Sequence, residues 1–97
     1  MQTYLLQMKF TEKGLAAIKS WPERIGLFQQ KCRDMGAEET AVYLAMGAHD
    51  IVAIVEAPDD HVIARLVLST AMNGYVTTQS TRMFPPAEFE SIIAGLP

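Results

Sequence analysis

From Thr3 to Phe10 the chain alternates: Tyr4, Leu6, Met8 and Phe10 fall on one side of an extended segment, and Thr3, Leu5, Gln7 and Lys9 on the other. A period of two is the signature of a strand with one face toward a core, and the first set is the better core face. Thr11 follows as the predicted N-cap of a helix. Leu15, Ile18, Trp21, Ile25, Phe28, Cys32 and Met35 then recur at intervals of three and four, which makes one apolar stripe. Pro22 interrupts the stripe. Ser20-Trp21-Pro22-Glu23 reads as a capping box with proline in the first turn, so the helix is predicted to break or kink there and restart. Gly36 ends it in the left-handed conformation that glycine tolerates best.

A second strand is predicted over about Glu39 to Met46, with Ala41, Tyr43 and Ala45 on one face and Val42, Leu44 and Met46 on the other. Gly47-Ala48-His49-Asp50 is a tight turn. The strand after it, Asp50 to Glu56, does not alternate: Ile51, Val52, Ala53, Ile54 and Val55 are all apolar. A strand apolar on both faces is normally central and covered on both sides. Ala57-Pro58-Asp59-Asp60 ends it and caps a helix that runs to Asn73, with Ile63, Leu66, Val67, Thr70 and Ala71 as its buried face and Asn73-Gly74 as its C-cap. A half-polar fourth strand, Tyr75 to Phe84, stops at Pro85-Pro86. A short last helix carries Phe89, Ile92 and Ile93.

This order is β-α-β-β-α-β with a terminal helix. Right-handed crossovers turn it into an α+β, ferredoxin-like fold: a four-stranded antiparallel sheet in the order 4-1-3-2, with helices on one face. The helices cover one face only, yet the third strand is apolar on both. A second copy packing sheet to sheet is the simplest cover, so a homo-oligomer is expected, a dimer or a larger ring.

Composition sharpens that picture. The chain has 97 residues, 49% of them hydrophobic, which suits one domain over residues 1–97 with slightly more apolar surface than a small monomer hides. The net charge is −3 with no basic run, which argues against nucleic acid as a partner. Cys32 is the single cysteine, so no internal disulfide forms, and a reducing compartment fits. The N-terminus does not read as a signal peptide, and no uncharged apolar run reaches the roughly 18 residues of a membrane span, so a soluble cytoplasmic protein is expected.

At the hairpin the chain resembles the GYD domain family, on Gly47, Asp50 and the run Ile51-Val52 through Glu56-Ala57-Pro58-Asp59-Asp60. Gly14, Ile18, Pro22, Arg24, Gly36, Tyr43, Gly74, Val76, Thr78, Arg82 and Phe84 also match the family's pattern, so the resemblance covers nearly the whole chain. His49 departs from it, standing where the family usually has tyrosine. The resemblance implies a dimeric α+β barrel type of fold without an assigned activity.

Candidate chemistry is sparse. His49-Asp50 joins a side chain that titrates near neutral pH to a carboxylate able to fix its tautomer. The plainer alternative has Asp50 accepting turn N–H groups and His49 at the surface. Arg82, in a stripe with Val76, Thr78 and Ser80, suits a small carboxylate or phosphate held together with Tyr43 or His49; its alternative is a surface or interface arginine paired with Glu56 or another acid. Trp21, at the helix break, either lines a cleft with its indole N–H seeking a partner or is a core or interface residue. Cys32 reads as buried and structural, and His61 as exposed. No metal-ligand spacing, glycine-rich phosphate loop or serine elbow is present, and no cofactor is expected. Three function classes follow. One is a binding protein with a small organic ligand in a helix–sheet pocket lined from Trp21, Tyr43, His49 and Arg82. The second is a cofactor-independent enzyme such as the monooxygenases, isomerases and decarboxylases that share this barrel type, with His49 as base, Asp50 as its orienter and Arg82 as anion holder. The third is an interaction module without a pocket.

Overall fold

A computed structural model describes residues 1–97. Four strands, β1 (Gln2–Phe10), β2 (Glu38–Leu44), β3 (Ile51–Ala57) and β4 (Val76–Met83), form one antiparallel sheet in the order β2-β3-β1-β4. This is the predicted 4-1-3-2 order read from the other edge. Helices α1 (Glu12–Ala16) and α2 (Trp21–Asp34) lie between β1 and β2, α3 (Asp60–Ala71) lies between β3 and β4, and α4 (Pro86–Ala94) closes the chain. No helix is long and apolar enough to cross a membrane.

The register sorts the strands' side chains into two sets. Tyr4, Leu6 and Met8 of β1 stand opposite Val55, Ala53 and Ile51 of β3, and all six are buried, as is Ala57. Cys32 of α2, Ala37 just before β2, Ile63 and Leu66 of α3, and Val76 of β4 complete the core over this covered face. The other set is Leu5, Gln7, Val52, Ile54, Ala41 and Tyr43 with their neighbours, and not one of these side chains is buried. The continuous apolar run of β3 is therefore split, alternate residues going to the core and to an open face. β2 ends at Leu44, two residues sooner than its pattern suggests, because the chain bends at Met46–Ala48. A bulge at Thr40 shifts the register between Glu39 and Ala41 and turns Glu39 to the covered face.

Local chemistry accounts for the connections. The Thr11 hydroxyl accepts from Gly14 N at 3.1 Å, as a cap should, and donates to Gly74 O at 2.6 Å, which ties the start of α1 to the turn before β4. Gly14 lies so close to that turn that a Cβ on it would stand 2.1 Å from Tyr75 O. Asp59 caps α3 by accepting from Val62 N at 3.0 Å. Gly36 and Gly74 leave their helices at φ +81° and +78°.

The break at Pro22 has a different form from the predicted box. A 3-10 turn (Ile18–Ser20) runs directly into α2, so Ser20 is already curled, at φ −91° and ψ 4°, where a capping residue is extended. Its hydroxyl donates to Ala17 O and accepts from Arg24 Nε. The apolar stripe divides at the same point. Trp21, Phe28 and Met35 pack on the core, whereas Leu15 and Ile18 are exposed. Helix α3 buries Ile63 and Leu66, half-buries Val67 and Thr70, and leaves Ala71 outside. Helix α4 buries nothing: Phe89, Ile92 and Ile93 are about half exposed, at 59%, 49% and 51%.

Candidate functional site

A groove of about 520 Å³ lies between α2, the end of α3 and the covered face of the sheet. Its floor is Met8, Val42, Ile51 and Val76, one residue from each strand. Trp21, Ile25 and Phe28 of α2 make one wall, at the three- and four-residue spacing that put them on a single stripe. A volume of this size with mainly apolar walls falls in the range of small-molecule sites.

The two ends of the groove differ. At the N-terminal end of α2, Trp21 packs edge-on against Phe10, centroids 4.9 Å apart at 89°. Its indole Nε1 is buried and has no hydrogen-bond partner. One turn on, the Arg24 guanidinium stacks 3.6 Å from the centre of the Tyr75 ring, and Nε donates to Ser20 Oγ at 3.1 Å. Lys13 Nζ rests 4.5 Å from the centre of the same ring. Near the other end, Glu39 is half-buried against α2. Burial pushes its carboxyl above the usual range, against the opposing pull of Gln29, whose amide donates to it at 3.0 Å.

Of the residues singled out in the sequence, only Trp21 lines this groove. Tyr43 stands on the open face, 66% exposed. His49 lies in the β2–β3 loop outside the groove. Asp50 beside it accepts from Phe10 N at 2.9 Å, on the neighbouring strand rather than within its own turn, and so pins the hairpin to the end of β1. Arg82 belongs to the far end of the sheet. It pairs in register with Tyr4, whereas Trp21 rests on Phe10, six residues along β1 and so about 20 Å away. There it forms an ion pair with Glu88 at 3.4 Å, donates to Met83 O and lies 4.4 Å from the Phe84 ring centre. The acid is Glu88, not Glu56. Its neighbour Tyr4 is pushed up to about 12 by burial and by donating its hydroxyl to Asp60. Cys32 is fully buried, and burial pushes its thiol up to about 12, which leaves it without nucleophilic character at neutral pH.

Sequence reasoning passed over the groove's polar end. Arg24 stood out only as a match to the family pattern, and Tyr75 only as the first residue of the predicted fourth strand. Their stacking joins α2 to the turn before β4, residues 51 apart in sequence, which no local pattern reveals.

A family model for the GYD domain matches residues 4–93. A protein of Thermus thermophilus named "Glutamine synthetase and cystathionine beta-lyase binding protein" is 34% identical over 89 residues, covering 91% of this chain and 94% of that protein. Among solved structures, MtbAldR superposes with a TM-score of 0.67 at 15% identity, covering 87% of this chain and 52% of that one. The chain thus spans about half of MtbAldR, and at that identity the likeness is one of fold.

Proposed function

The chain belongs to the GYD domain family, and from that premise we propose that it is a non-catalytic binding module: it self-associates through the open sheet face, engages a partner protein as an assembly, and holds a small organic molecule in the helix–sheet groove. The observation that carries this reading is the open face itself. Val52 and Ile54 on the central strand β3, with Leu5 and Ala41 beside them, form an apolar strip with none of its side chains buried. Such a strip on a small chain marks a contact surface. A second copy meets it with the same residues, since a two-fold interface is self-complementary. The exposed apolar side of α4 and the name of the Thermus relative, a binding protein for two enzymes, support a protein-facing role.

A cofactor-independent enzyme has less to rest on. His49 lies outside the groove, and Asp50 spends an oxygen on Phe10 N. Sedimentation velocity at micromolar concentration tests the reading. The wild type is expected as a discrete oligomer and Ile54→Lys as a folded monomer. A wild type that sediments as a folded monomer sinks the self-association.

A further inference from the structure

We propose that the groove is selective for an apolar monocarboxylate, whose carboxylate is received by Arg24 and Trp21 Nε1 and whose hydrocarbon body lies along Ile25, Phe28 and Met8. The proposal rests on the groove being a ligand site, as read above, and adds the chemistry that decides what enters.

Three observations converge at the N-terminal end of α2. First, the Trp21 indole N–H is buried and unpartnered. An indole nitrogen can only donate, so this buried donor is left without an acceptor. Second, the Arg24 guanidinium is held from two sides, by Ser20 Oγ on Nε and by the Tyr75 ring beneath its plane. Neither contact uses its terminal N–H groups, and the chain's one ion pair is elsewhere, at Arg82–Glu88. Arg24 is thus a positioned cation with a free fork, the geometry that matches a carboxylate. Third, Lys13 lies over the same ring, so this end of the groove concentrates positive charge in a chain whose net charge is −3.

The remaining walls set the rest of the ligand. Beyond Arg24 the apolar part of the lining is Ile25, Phe28, Met8 and Val42, which reward a hydrocarbon body. The far end carries Lys31 with Asp34 and Glu39, charges of both signs, so selection for an acid falls to the Arg24 end. A carboxylate head is favoured there over a phosphate dianion, whose desolvation is dearer than one guanidinium and one indole offset.

Trp21 is the only tryptophan, so its emission reports on the site directly. The probes are 4-phenylbutyrate and its neutral isostere 4-phenylbutyramide, titrated at neutral pH. The acid is expected to change Trp21 emission saturably, with the amide at least tenfold weaker. Arg24→Gln is expected to weaken the acid at least tenfold, about 1.4 kcal/mol, and to leave the amide unchanged. Arg24→Lys, which keeps the charge but not the fork, is expected to fall between. Trp21→Phe, followed by calorimetry, should lose several-fold in affinity for the acid. Melting curves of each variant separate lost binding from lost fold. Equal affinity for acid and amide, or an Arg24→Gln protein of wild-type melting that binds the acid normally, overturns the carboxylate selectivity while leaving the groove as a ligand site. No saturable change from either probe at millimolar concentration overturns both.

Discussion

On its covered face the sheet hides Leu6, Ala53 and Val55 almost completely, at 1%, 1% and 0% exposure. One position along the same strands, Leu5, Val52 and Ile54 remain partly exposed although they are equally apolar. The two faces share backbone, register and much of their composition, and differ in what lies over them. The covered face is closed by Cys32, Ile63 and Leu66 from the helices of the same chain. The difference separates two meanings of an apolar strand. Alternation, as in β1, describes a core that the chain completes alone. The unbroken run of β3 describes that core plus a second surface the chain does not complete.

Substitutions that break this contrast should rank by face. Leu6→Ala on the covered face is expected to cost about 2–5 kcal/mol, read from a denaturant midpoint, since the site is closed on all sides and leaves a cavity. Next comes Gly14→Ala. In an ordinary helix interior that change stabilises by about 1 kcal/mol, but here the new methyl meets the Tyr75 carbonyl at 2.1 Å. The sign should reverse, to a loss on the order of 1–3 kcal/mol in thermal melts. A gain would mean that α1 does not press on the turn before β4.

Tyr4 tests the covered face through pH. Its folded pKa, about 12, lies above the ordinary 10, chiefly from burial. The folded state therefore holds this proton more tightly than the unfolded chain does. The stabilisation is whole below pH 10 and is lost as pH rises from about 10 toward about 12. Alkaline melts of wild type should fall through that window more steeply than those of Tyr4→Phe, and parallel curves would contradict the assignment. The smallest effect on the single chain should come from the open face. Ile54→Lys is expected to change the stability of a monomer by about 0.5 kcal/mol or less. A large loss of monomer stability would place Ile54 inside the chain's own core.

Much of the fold was legible because local signals and global topology agreed. The Thr11 cap, the Asp59 cap, the glycines at 36 and 74 and the two strand patterns each specify one element, and together they allow few sheet orders. The capping box at Ser20 misled because the preceding 3-10 turn had already set its backbone, which a four-residue pattern cannot register. The candidate site was less legible for a similar reason. Trp21 declared itself by its type and its place at a helix break. Tyr43, His49 and Arg82 drew attention by chemistry, yet the register sends them to the open face, a loop and the opposite end of the sheet. Arg24 and Tyr75 carry ordinary patterns and acquire their character only when the fold stacks one on the other.

The most direct test of the open face as an assembly surface is hydroxyl-radical footprinting of Tyr43 across a dilution series, with Tyr75 as the internal reference. Tyr43 is 66% exposed on the single chain, so assembly should protect it at high concentration and release it on dilution, with Tyr75 unchanged. Reactivity at Tyr43 that stays high at every concentration would contradict the account.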